Sequence, residues 1–200
     1  MLISLMLAAA QPALPEPTDV PSDAPDCSYD LDAMLKLDRN DFDQKMNSGW
    51  RRIGESGGCE AAAAELIREW RHAKRDHASI LYWHEGQMRA SAGQTDEAIA
   101  LFKLTYKAAE DDADFGWNHY VAGTIAFLQR DRERLDNAIK NLKLVPKPES
   151  ASFKKPDGSI VQMRWPPNLN VLEGFAKCWE ESYENVYGNR DCSTSPSLEN

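Results

Sequence analysis

Hydrophobic residues between Ile80 and Tyr106 recur at the three- and four-residue intervals of a helix face, with one break at Ala92-Gly93-Gln94. The stretch reads as two helices joined by a tight turn, and its small residues fall where two antiparallel helices must approach closely. Upstream, Ala63, Leu66, Ile67 and Trp70 form the inward face of a helix over Glu60 to Lys74, with Glu65, Arg68, Glu69 and Arg71 on the wet side. Between Tyr29 and Gly58 the helical pieces are shorter. Leu31, Met34, Leu35 and Leu37 make one apolar group, and Asn40 or Asp41 caps a helix carrying Phe42 and Met46. After Leu144, Pro146 and Pro148 end the helical run, and Asp157-Gly158 between two alternating runs predicts a β-hairpin over 152–165. A last helix is expected over 168–188, with Leu172, Phe175, Ala176, Trp179 and Tyr183 as its stripe. Asn170 with Glu173 suggests its capping box, and Gly188 its C-cap.

Laid over itself so that Gly86 meets Gly123, the chain also matches Trp83 with Tyr120, Gln87 with Thr124, Ala98 with Leu135 and Phe102 with Ile139. In the other direction Ala98 falls on Ala63, Phe102 on Ile67 and Thr105 on Trp70. Stacked helical hairpins have this register, each burying one face on its neighbour. Gly86, Gly93, Ala98 and Phe102 together resemble the tetratricopeptide (TPR) pattern, in which small residues let two helices close and an aromatic fills the gap to the next unit. The match is good from Ala78 to Asp112. It is degenerate from Asp114 to Leu144, where Arg130 and Leu135 replace the expected Gly and Ala, and over Phe42 to Lys74 only the second helix is kept. The resemblance implies a mostly α fold of two to three TPR-like antiparallel hairpins, a right-handed α-α repeat spanning 42–144. The small β-hairpin and a capping helix follow it. Phe42-Asp43-Gln44, Gly49-Trp50-Arg51 and Trp83-His84-Glu85-Gly86-Gln87 are similar to strings of an uncharacterised bacterial exported family, from which no function carries over.

The ends of the chain change the picture. Residues 1–10 are apolar and close on Ala8-Ala9-Ala10, the small-x-small form of a signal-peptidase site, which makes them a candidate signal peptide. Residues 11–26 hold five prolines and read as a disordered tether, so a single domain is expected over 27–190 with a flexible tail at 191–200. The four cysteines, Cys27, Cys59, Cys178 and Cys192, lack metal-site spacing. An even count behind a signal peptide reads as two disulfides, and of the three pairings Cys27–Cys59 with Cys178–Cys192 would clip each chain end to its nearest helix. A periplasmic or secreted location follows; four reduced thiols in a cytosolic protein is the competing reading.

A net charge of -9 argues against nucleic acid or anionic lipid as partner, and no integral membrane span is expected. No catalytic motif survives: His84-Glu85 opens H-E-x-x-H, but Met88 stands where the second histidine should be. No cofactor or metal is expected, a site from His84, Glu85 and His119 being the one conceivable exception. The TPR resemblance places Trp83, Gln87, Trp117, Tyr120 and Thr124 on the inner, concave face of the first helices, where Trp and Tyr anchor a partner at small entropic cost. Asp43, Gln44 and Arg51 add polar contacts from the first unit. The alternative is that Trp83, Trp117 and Tyr120 simply pack internally. The expected function is a non-catalytic module binding a protein or peptide in the bacterial envelope. A small cell-wall or carbohydrate-acting hydrolase or lyase, using Glu85 and Asp43 beside tryptophans, is the alternative.

Overall fold

A computed structural model describes residues 25–149, 151–154, 158–162 and 164–192; the expected signal peptide and nearly all of the tether lie outside them. The described residues are mostly helical. Short α1 (Leu31–Leu35) is followed by a five-residue π-helical turn (Asn40–Gln44) and α2 (Gly49–Gly54). Then come α3 (Glu60–Lys74), α4 (Ser79–Ser91), α5 (Thr95–Lys103), α6 (Ala109–Asp112), α7 (Trp117–Leu128) and α8 (Arg132–Lys143). Strands β1 (Ser152–Lys154) and β2 (Ile160–Gln162) pair antiparallel with Phe153 opposite Val161, and α9 (Leu169–Lys177) and α10 (Tyr183–Val186) end the described chain. No helix among the described residues is long and apolar enough to cross a membrane.

Consecutive helices pack on one another: α3 on α4, α4 on α5, α7 on α8. The closest approach is at Gly86, where a Cβ would lie 2.6 Å from the Phe102 ring, so only glycine lets α5 seat against α4. At the matching position a Cβ on Gly123 would come 2.7 Å from the Leu172 methyls, and α9 closes this side. The two hairpin turns solve one geometric problem differently. Gly93 takes φ 75° after α4, whereas Arg130 holds φ 55° after α7, a left-handed conformation that costs an ordinary residue about 1–2 kcal/mol. Arg130 is fixed by its own side chain, whose guanidinium donates to the carbonyls of Trp179 and Glu181.

Two hydrophobic cores lie on either side of α4. Leu81 and Met88 face the N-terminal one, with Met34, Phe42, Trp50, Ile53, Leu66, Ile67 and Trp70. Trp83 and Ala90 face the other, built on Ala98, Phe102, Tyr120, Ile125, Phe127, Leu135, Leu142, Leu172 and Phe175. In the first, the Phe42 and Trp70 rings stack at 4.4 Å; in the second, Phe127 and Phe175 stack at the same distance.

Both expected disulfides form, Cys27–Cys59 and Cys178–Cys192. Four local expectations are corrected. The segment around Phe42 is a π turn rather than a capped α-helix, which leaves Met46 outside it and exposed. The expected 168–188 helix breaks after Lys177, because Cys178 leaves helical geometry and Arg130 takes the carbonyls of Trp179 and Glu181. Its N-cap is Asn168 in a left-handed conformation, without a side-chain capping bond, so Asn170 and Glu173 are not a capping box. Cys192, placed in the flexible tail, is buried with the C-terminal core; residues 193–200 lie outside the described structure.

Candidate functional site

The residues singled out from the sequence separate into two clusters on opposite sides of α4. Asp43, Gln44 and Arg51 fall together at the π turn. Asp43 is fully buried, and its carboxylate accepts from Trp50 Nε1 at 2.8 Å, from His84 Nδ1 at 2.6 Å and from the Gln44 amide. Arg51 Nε donates to the Asp43 carbonyl at 2.7 Å, while its guanidinium lies 4.4 Å from the centre of the Trp50 ring. Burial alone would push the Asp43 carboxyl up. The His84 hydrogen bond and charge, with the Trp50 and Gln44 donors, outweigh it and hold the group below the usual carboxylate range.

At the next residue of α4 after His84, the Glu85 carboxylate accepts from Arg71 at 2.6 and 3.0 Å and from Arg89 at 3.3 Å; Arg89 also reaches Glu65 at 2.8 Å. Arg71 and Glu85 are both buried, a geometry in which each charge depends on the other. Asp43 and Glu85 are thus occupied by donors from α2, α3 and α4. No group of three or more His, Cys, Asp or Glu among the described residues could hold a metal ion.

Trp83, Gln87, Trp117, Tyr120 and Thr124 form the second cluster, around the C-terminal core. Trp83 contacts Phe102, Trp117 and Tyr120 at centroid distances of 4.4, 4.7 and 4.9 Å. Trp117 is half-buried and donates through Nε1 to the Thr105 carbonyl at 2.8 Å. Thr124 is fully buried, with its hydroxyl on the Tyr120 carbonyl. Most of these aromatics are core, as the internal-packing alternative had it.

At Gln87 and Tyr120, however, the face is covered by the chain's own α10. Tyr183 and Val186 of α10 are buried in this core, and the Tyr183 ring packs on Phe175 at 5.5 Å and on Tyr187 at 5.3 Å. Burial pushes the Tyr183 and Tyr120 phenols well above their ordinary range. The neighbouring Tyr187 phenol pushes both further, and at Tyr120 the Tyr183 phenol adds to it. Tyr183 lies beside Gln87, whose amide acts on the phenol as a donor and draws it partly back down, although the buried pair falls short of full hydrogen-bond geometry. A buried polar atom without a partner costs about 1–3 kcal/mol.

Sequence reasoning missed four members of these clusters. Trp50 and His84 sit inside quoted strings, but nothing local says that a residue at 43 will meet one at 84. Tyr183 was read as part of the stripe of one continuous helix, without the break that turns it onto α4, and Tyr187 was not singled out. Comparison of the chain with protein-family models, with curated proteins and with solved structures returns no match, which leaves the geometry of these two clusters as the ground for a functional reading.

Proposed function

We propose that the chain is an exported, TPR-like helical-repeat module that binds a protein or peptide in the bacterial envelope through the inner face of its first helices. The observation that carries this is α10: a helical turn of the chain itself already lies over Gln87 and Tyr120, which supports reading this face as one suited to helical peptide. Gly86 against Phe102 supports the repeat reading, since that close approach is what the TPR resemblance requires. Two disulfides support export, because such bonds persist in oxidising compartments and are rare in the cytosol. The apolar start of the chain agrees with them.

The test is site-specific photo-crosslinking in living cells. A photoreactive residue at Tyr187, which is 40% exposed at the rim of this face, should capture one discrete envelope protein. The same residue at Leu144, 74% exposed at the end of α8, should not. Equal products from both positions, or none from Tyr187, would sink the reading. Mass spectrometry of the unreduced protein from cell fractions checks the compartment: cleavage near Ala10 together with both disulfides is expected.

A further inference from the structure

The seam between α10 and α4 is held in an unusual way. Its side chains are imperfectly matched, since the buried Tyr183 hydroxyl and Gln87 Nε2 face each other in a geometry short of a hydrogen bond. Beside it lies a cavity of about 360 Å³, lined by Asn170, Val171 and Gly174 of α9 and by residues from Val186 to Arg190. Retention comes instead from groups that do not read the side chains of α10. Arg130 donates to the carbonyls of Trp179 and Glu181, Arg132 to that of Ala176, Lys177 to that of Asp191, and Cys178–Cys192 closes the loop.

The segment so held has a definite chemistry. Tyr183 and Val186, three positions apart, are buried on one face of the turn, while Glu180, Glu181 and Glu184 remain exposed. Arg130 and Arg132 flank its entry. Arg132 is paired with Asp136 at 3.0 Å, so the Arg130 guanidinium is the cation beside this aromatic and aliphatic seat that suits an acidic helical turn, even on a protein of net charge -9.

We propose that this face is a docking groove for an acidic helical turn carrying an aromatic and a branched aliphatic residue three positions apart. In this account α10 is its built-in, displaceable occupant. The inference rests on the partner-binding reading and names the partner's chemistry. A partner segment that hydrogen-bonds Gln87 fully gains what α10 leaves unmade, and tethering through Cys178–Cys192 sets the competition by raising the local concentration of α10.

The experiment uses the full-length protein with Cys178→Ser and Cys192→Ser, and separately Arg130→Gly with the disulfide intact, so that one failed variant leaves the other. The probe is a fluorescent synthetic peptide of residues 180–188. Both variants should bind it saturably and at least tenfold more tightly than wild type, and a probe with Tyr183→Ala should not bind. Amide exchange at 183–187 should quicken in both variants while α4 stays protected. If exchange at 183–187 is unchanged in both, or quickens without peptide binding, the groove is disproved. A variant that dimerises by exchanging its own α10 would also overturn the foreign partner, because the occupant would then be a second copy. Peptide binding without a crosslinked partner would retain the groove and defeat only the envelope-partner reading.

Discussion

The two sides of α4 are both built on buried aromatic residues, more of them on the C-terminal side, and they treat polar groups in opposite ways. On the N-terminal side every heteroatom of the Asp43 and Glu85 carboxylates faces a donor, and those donors come from α2, α3 and α4. One orphan remains there, Trp70 Nε1, inside a rigid stack on Phe42. On the C-terminal side two orphans meet at a single seam, between a four-residue helix and α4. A completed buried network locks the elements it joins, because removing any member strands the others. A seam with stranded groups rehydrates them when it opens, which offsets part of the cost of exposing Tyr183 and Val186. The difference assigns rigidity to the first region and exchange to the second.

The comparison breaks most readily at Glu85. Glu85→Ala strands Arg71, which pairs with no other carboxylate among the described residues, and should cost about 3–5 kcal/mol in denaturant unfolding; a loss below 1 kcal/mol would show that Arg71 finds water instead. Asp43→Asn should cost about 1–3 kcal/mol at neutral pH. The Asp43 carboxyl sits below its unfolded value, so its contribution is present above that value and is lost as pH falls through the folded one. Wild type should therefore lose stability on acidification more steeply than Asp43→Asn. Parallel pH curves for the two proteins would refute the assignment.

A matched pair sharpens the contrast further. Trp50→Phe removes a donor that Asp43 uses and should cost about 1–2 kcal/mol, whereas Tyr183→Phe removes a hydroxyl without a partner and should be neutral or stabilising by up to about 1 kcal/mol. Equal losses would erase the distinction between the two regions. The smallest effect is expected from Arg130→Gly, which relieves about 1 kcal/mol of left-handed strain while giving up two hydrogen bonds to carbonyls. Its melting temperature should shift by only a few degrees.

Periodicity made the long helices legible: α3, α4, α5, α7 and α8 each have a face set by residues within a few turns, and the disulfide pairing followed from where the chain ends must lie. The glycine at 86 and the aromatic at 102 also announced themselves, since close approach needs a small residue and a filler. What was hidden depends on distant partners. The Asp43–His84 bond joins positions that share no local pattern, and a histidine on an apolar helix gives no sign of which carboxylate orients it. The break after Lys177 was equally hidden, because it is imposed by Arg130 from another hairpin. Arg130 was visible as a departure from the TPR pattern, and that departure marks where the C-terminal segment is held. Trp83 and Tyr120 look the same in sequence whether they bind or pack; burial alone separates those cases.

The position of α4 has a consequence for how the molecule comes apart. A helix that supplies Leu81 and Met88 to one core and Trp83 and Ala90 to the other cannot melt with either alone. Heating or denaturant should therefore give a single sigmoid, with calorimetric and van't Hoff enthalpies in agreement. Two packing units in one chain would then behave as one thermodynamic body, and loss of α10 would register only as a small pre-transition slope.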